Sequence, residues 1–391
     1  MERLIFHIDV NSAYLSWTAV ENLKNGSSVD LREIPSIIGG DMASRHGIVL
    51  AKSIPAKAYK ITTGEPVAHA LQKCPNLVMA PPDRKLYSEY SHRLMELLKT
   101  FSPAIEQVSI DECYMDFTDF QNKYASPVAA ATLIKDTVRD TFGFTVNVGI
   151  SNNKLLAKMA SDFQKPDKVH TLFPHEVPEK MWCLPVRDLF MVGKSAAATL
   201  EKLEILTIGD LAHTDVSILE SHMKSHGRLI WEFANGIDDS PVQTEEAELK
   251  GVGNSTTLSR NAETSADAKK VLRSLCGQVS SRLKSYGQLA GMVSTEIKYA
   301  TFVHVSHQMQ LPSATDDAGV LYHHACLLFD ELWNGEPVRL LGVRTSKLTT
   351  EQEPVQMSLF DLPKSLKEQK ADKAAEELKK RFGKNIIKKG M

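Results

Sequence analysis

The chain has 391 residues, with 46 Lys and Arg against 48 Asp and Glu, and 42% of its residues are hydrophobic. That size suggests two to four domains of ordinary globular composition. A net charge of −2 excludes a uniformly basic coat, so any nucleic-acid surface must be local. No apolar run approaches the roughly 18 residues that span a bilayer, and the N-terminus runs straight into a strand-like segment without a signal-peptide core. A cytoplasmic protein with no membrane contact is therefore expected. The five cysteines, Cys74, Cys113, Cys183, Cys276 and Cys326, form no C-x-x-C pair and read as reduced, mostly buried thiols.

Residues 3–8 predict a strand that Asp9 closes. Asn11 and Ser12 are good N-cap types, and residues 13–24 predict a helix ending near Gly26. A strand that ends in Asp and feeds a helix N-terminus suits metal and phosphate, because free N–H groups and the helix dipole favour anions there. Residues 34–40 and 47–52 predict two strands around a polar turn. Helices are expected over 66–74, 87–101, 129–142 and 152–163, with strands over 105–117 and 145–150. This alternation makes an α+β core reaching to about residue 172.

From 177 to 237 the pattern is all helical, broken by Pro185, Gly193, Gly209 and Gly227. Residues 241–250 read as a linker. Residues 252–348 then read β-α-β-β-α-β, a small α+β domain of ferredoxin-like order. Beyond 349 the chain is polar with one apolar island, Gln356-Met357-Ser358-Leu359-Phe360. The tail from Pro363 holds ten Lys and Arg against four Asp and Glu, a pattern typical of a solvated helix face.

Asp111 and Glu112 lie between apolar stretches (Ile105, Val108; Tyr114, Met115, Phe117) that must pack into a core. Two adjacent acids there repel each other unless a cation compensates. Together with Asp9 they suit hard divalent ions, which prefer oxygen ligands. Structural ion networks produce the same pattern, and the residues alone leave both readings open.

The order of motifs adds to this. His7-Ile8-Asp9-Val10-Asn11-Ser12-Ala13-Tyr14 resembles the first motif of Y-family, lesion-bypass DNA polymerases, and Ser109-Ile110-Asp111-Glu112 resembles their second carboxylate motif. Gly39-Gly40-Asp41, Arg45-His46-Gly47-Ile48-Val49, Gly149-Ile150-Ser151-Asn152-Asn153-Lys154 and Lys165-Pro166 match in order and spacing. The resemblance covers residues 4–360 and is strongest to the bacterial polymerase IV and polymerase V catalytic-subunit branches, which the motifs do not separate.

The resemblance implies an α+β right-hand polymerase. Its palm would take residues 1–11 and 83–172, its fingers 12–82 and its helical thumb 173–240. A linker would span 241–250, the ferredoxin-like little finger 251–350 and a tail 351–391. It implies low-fidelity, template-directed addition of deoxynucleotides during DNA repair. The partners would be primer-template DNA, deoxynucleoside triphosphates and a sliding clamp, with the chain itself monomeric. Two Mg2+ ions would be held by Asp9, Asp111, Glu112 and the Val10 carbonyl. The backbone of Ser12, Ala13 and Tyr14 would cradle the triphosphate, with Lys57 and Lys165 supplying charge and the Tyr14 ring acting as a steric gate against a 2′-hydroxyl. Gly193 and Lys194 in a thumb helix-hairpin-helix, and Arg260, Lys298, Arg344 and Lys347 on one face of the little finger, would touch DNA. Gln356, Met357, Ser358, Leu359 and Phe360 would dock on the clamp.

The sequence also departs from the family. Ile54 and Lys57 stand where a Tyr and an Arg often contact the triphosphate, Ala51 where Ser or Thr is common, Ala13 where an aromatic is common, and Met191 where the thumb hairpin usually has its first glycine. The changes at Ile54 and Lys57 motivate a second reading, an accessory DNA-binding factor on the same fold with weak or no catalysis.

Overall fold

The computed structural model describes residues 2–41, 47–245 and 248–350. The chain divides into two compact units, Met1–Glu246 and Ala247–Met391.

The first unit opens with β1 (Ile5–Val10), α1 (Ala13–Lys24), β2 (Ser36–Gly39) and β3 (Val49–Lys52). It continues with α2 (Ile54–Ala58), α3 (Val67–Lys73), β4 (Val78–Ala80), α4 (Arg84–Lys99), β5 (Ile105–Gln107) and β6 (Glu112–Asp116). Then come α5 (Pro127–Phe142), β7 (Val146–Ser151), α6 (Lys154–Asp162) and β8 (Val169–Thr171). The helices start where side chains satisfy their free N–H groups: Asp83 caps α4, Ser126 caps α5 and Asn153 caps α6.

A five-stranded sheet runs β5-β6-β1-β7-β8, and a three-stranded one runs β3-β2-β4. Strand β1 is central and covered on both faces, one lined by Phe6, Ile8 and Val10 and the other by Ile5, His7 and Asp9. Phe6, Ile8 and Val10 join Trp17 and Val20 of α1, Tyr90 and Leu94 of α4, and Ile134 and Val138 of α5 in one core. Helix α6 crosses the other face against β1 and β7. That crossing is close because Gly149 has no side chain; a Cβ there would overlap the Ala157 carbonyl and the Ser161 N–H.

Five helices follow: α7 (Val177–Lys180), α8 (Lys194–Lys202), α9 (Ile208–His213), α10 (Val216–Met223) and α11 (Ser225–Ala234). Their core includes Leu155, Leu156 and Met159 of α6, so α6 is packed on two sides.

The second unit contains β9 (Gly251–Ala262), α12 (Ser265–Ser285), β10 (Leu289–Tyr299), β11 (His304–Thr315), α13 (Ala318–Leu332) and β12 (Val338–Thr349). The expected β-α-β-β-α-β order is present. Every strand pair is antiparallel, in the order β11-β10-β12-β9. Each β-α-β unit thus has a strand of the other inserted between its own two, a split arrangement. Leu272, Leu275 and Val279 of α12 and Leu321 and Leu328 of α13 bury Val252, Val293, Ile297, Leu341 and Val343 on one sheet face. Among the described residues of this unit, no helix covers the other face.

Candidate active site

Antiparallel pairing of β1 with β6 sets Asp9 directly opposite Glu112 and His7 opposite Tyr114. The Val10 N–H donates to the Asp111 carbonyl at 3.0 Å, locking the turn before β6 against the end of β1. Strand β1 therefore runs one residue past Asp9, which sits inside the ladder rather than closing it. The Ser109 hydroxyl donates to the Asp111 carboxylate at 2.6 Å. Burial, and after it the charges of Asp9 and Glu112, push the Asp111 carboxyl above its ordinary value. Repulsion of this kind is what neighbouring acids in one site produce.

Glu112 is held differently. The Lys158 ammonium of α6 donates to it at 2.8 Å, and His7 Nε2 stands 3.3 Å away without the alignment of a full hydrogen bond. His7, then Lys158, hold the Glu112 carboxyl down to about 2. The other His7 nitrogen meets the Ser161 hydroxyl at 2.8 Å, and burial lowers the imidazole pKa. Lys165 contacts Asp9 and lies 2.8 Å from Asp162.

A cleft of about 690 Å³ opens over this end of the sheet. Asp9, Val10, Asp111, Thr145 and Lys165 line it together with Ser12, Ala13 and Tyr14 of the α1 entry and with Lys52, Ile54 and Lys57. Glu112 is not among the lining residues. Ser12 does not cap α1 as its residue type suggests: it takes a left-handed conformation (φ 49°) and its side chain makes no cap bond. The first-turn N–H groups of α1 are thus left without a side-chain cap at the cleft, an arrangement suited to an anion. The Tyr14 ring lies in the same cleft, stacked on Tyr87.

Among the described residues, no three His, Cys, Asp or Glu side chains converge as a ligand cage. The ammonium groups of Lys165 and Lys158 lie against Asp9 and Glu112 instead. The donor set still fits a hard divalent cation: three carboxylates, with Asp111 under repulsion that a cation relieves.

Gly193 stands at the N-terminus of α8 with φ −78°, a conformation open to any residue, and space beside it is empty. Lys194 is exposed next to it. The left-handed position of this loop is Met191 (φ 71°), the residue at the family's glycine.

In the second unit, pairing places Lys298 opposite Leu340 and Arg344 opposite Ser294, on the face without helices. Lys347 reaches that face through a 3.3 Å bond to Gln310, whose partner across β10 is Met292. Arg260 does not join them. Register slips between Leu340 and Val338 opposite β9, and the Arg260 charge acts on Asp267 at the start of α12. Arg45, His46 and the segment from Gln356 to Phe360 lie outside the described residues.

Sequence reasoning missed several residues around the site: Lys158, Tyr87, Asn147 and Lys52. Only Lys158 had a signal, one helical turn beyond Lys154 on the face that packs on the sheet.

Residues 8–162 match the model of the impB/mucB/samB family, and residues 249–359 match that family's C-terminal domain. The chain is 47% identical over 387 residues to DNA polymerase IV of Clostridium acetobutylicum, covering 99% of this chain and 97% of that one. It is 35% identical to DNA polymerase IV 1 of Bacillus subtilis, covering 99% and 92%. A solved Y-family DNA polymerase chimera superposes with a TM-score of 0.78 at 21% identity, over 89% of this chain and all of that one. The chain belongs to the Y-family of DNA polymerases. Its two units carry the fold of that family. No helix among the described residues is long and apolar enough to cross a membrane.

Proposed function

We propose that this chain extends a primer 3′ end opposite a DNA template, taking deoxynucleoside triphosphates and releasing pyrophosphate, in low-fidelity bypass of damaged DNA. The observation that carries the reading is the β1–β6 register, which sets Asp9 across from Glu112 with Asp111 hydrogen-bonded into the same turn. These carboxylates, with the Val10 carbonyl, would hold two Mg2+ ions. When bound there, divalent cations supply the Lewis acidity that activates an attacking hydroxyl and offsets charge on the leaving phosphates.

The chain's own residues do the rest. The α1 N-terminus at Ser12, Ala13 and Tyr14 receives the triphosphate, and Lys57 and Lys165 neutralise it. The Tyr14 ring supports the sugar and excludes a 2′-hydroxyl. Gly193 and Lys194 hold a DNA phosphate without reading sequence, and Lys298, Arg344 and Lys347 grip the duplex backbone. The relatives' name, DNA polymerase IV, favours that branch over polymerase V. Residues 351–391 carry the sliding-clamp peptide, and the enzyme acts as a cytoplasmic monomer.

Primer extension with wild type and Asp111→Ala tests the reading. Magnesium-dependent extension by wild type and its loss in Asp111→Ala are expected. No extension by wild type would leave the accessory-factor reading standing.

A further inference from the structure

Asn147 is the second residue of β7, opposite Asp9, and its side chain is fully buried. A buried amide is costly unless its donors and acceptors are all used. Here they are. Its Nδ2 donates to the carbonyls of Ser161 (3.0 Å) and Gln164 (2.7 Å). Its Oδ1 accepts from Asn11 Nδ2 (3.1 Å) and the Lys168 N–H (3.2 Å). Asn11 in turn accepts from the Asp167 N–H and the Thr145 hydroxyl, each at 2.9 Å. The two asparagines therefore hold the segment from Gln164 to Lys168 at three backbone points: the Gln164 carbonyl and the N–H groups of Asp167 and Lys168. The residue suspended between these anchors and facing the cleft is Lys165.

We infer that Asn147, acting with Asn11, is a positioning residue for Lys165. It fixes where the ammonium stands relative to Asp9 and to the bound triphosphate. This rests on the reading of Lys165 as a triphosphate ligand. A lysine is a point charge on a flexible stem, so its place in the cleft is set by the backbone that carries it. That backbone has no regular structure between α6 and β8, and the amide pair replaces the missing ladder. The same amides tie the loop to the strand that bears Asp9, so the cation and the carboxylate cannot drift apart.

The test is a double-mutant cycle. Asn147→Asp keeps the shape but sets a carboxylate against two carbonyl oxygens, releasing the loop. Its KM for a deoxynucleoside triphosphate is expected to rise about tenfold, with kcat held within about threefold. Lys165→Ala should raise KM likewise, and the double variant should be no worse than Lys165→Ala alone, because both changes remove one interaction. Additive losses, or equal falls in kcat and kcat/KM that track a lower melting temperature, would overturn the inference and leave Asn147 as core structure. An unchanged KM in Lys165→Ala would overturn the Lys165 reading itself, and with it this proposal. If Asn147→Asp does not fold, Asn147→Ser keeps one donor, introduces no charge and is read by the same cycle with a smaller expected rise.

Discussion

The Tyr14 ring lies flat on Tyr87, with centroids 4.4 Å apart and planes 7° from parallel. Tyr87 is itself buried, and its hydroxyl meets that of Thr18 at 3.0 Å. Tyr14 sits on the first turn of α1, while Tyr87 belongs to α4. Stacking of this kind adds about 0.5–1.5 kcal/mol beyond simple burial. It fixes the ring that would lie under the nucleotide sugar. Tyr87→Leu should therefore lower discrimination against ribonucleotides by about tenfold, although Tyr87 touches no nucleotide. Tyr87→Phe keeps the stack and should retain discrimination. Competing incorporation of dATP and ATP on one primer measures both, and equal selectivity in wild type and Tyr87→Leu would refute the role.

The bond from Lys158 to Glu112 predicts a different defect. Glu112 has one oxygen held by an ammonium from α6. Replacing Lys158 with Met frees the carboxylate to rotate. Loss of a group that orients a metal ligand typically costs 10–100-fold in metal affinity. Lys158→Met should weaken Mn2+ binding by at least about tenfold, read by water-proton relaxation without turnover. Lys158→Arg should recover most of it. Unaltered Mn2+ affinity in Lys158→Met would separate Lys158 from the metal site.

Met191 makes the opposite kind of prediction, a gain. It holds φ 71° in the loop before α8 and is half exposed. A left-handed conformation costs a side-chain-bearing residue about 1–2 kcal/mol. Glycine recovers that but loses about 0.5–1 kcal/mol in chain entropy. Met191→Gly should thus stabilise the first unit by about 0.5–1 kcal/mol, visible as a small rise in its melting temperature. A lower melting temperature would mean that Met191 packs on something its exposure does not reveal.

The segment from Gln356 to Phe360 offers Leu and Phe as apolar anchors on a polar stretch, a pattern in which few residues carry most of the affinity. Leu359→Ala combined with Phe360→Ala should abolish binding to an immobilised sliding clamp while leaving primer extension without clamp intact. Unchanged capture would remove the clamp from the list of partners.

Much of this architecture was legible because periodicity and capping agreed. Helix α1 spans the residues expected of it, and the six elements of the second unit occur in the expected order. Short elements escaped: α2, of five residues, and β4, of three, are too brief for a period to show. Ser12 was misread because cap preference describes residue types, whereas here a left-handed turn leaves the N–H groups of α1 to the cleft. The contacts that tune the site escaped for another reason. Tyr87, Asn147 and Lys158 reach Tyr14, Asn11 and Glu112 from 46 to 136 residues away in the chain, or across two helices, and no local pattern encodes such meetings. Arg260 was misplaced because element order carries no register: β9 sets Gly253, not Arg260, opposite Arg344, and seven residues separate the two.

The end of the cleft proposed to take the triphosphate is its least conventional part. Lys57 and Lys52 line it with Ile54, and among the described residues neither lysine has an ion-pair partner. Burial, and after it the charge of Lys57, lower the Lys52 pKa. Two neighbouring lysines without an ion pair suit a polyanion. A lysine neutralises phosphate without the paired donors of arginine. Lys57→Ala should therefore raise KM for the incoming nucleotide by about tenfold with a smaller change in kcat. Lys57→Arg should lower KM below the wild-type value, because the fork can grip two oxygens at once. Steady-state single-nucleotide insertion opposite an undamaged template reads both. Were Lys57→Ala silent, Lys52 and Lys165 would have to carry the triphosphate without help from α2.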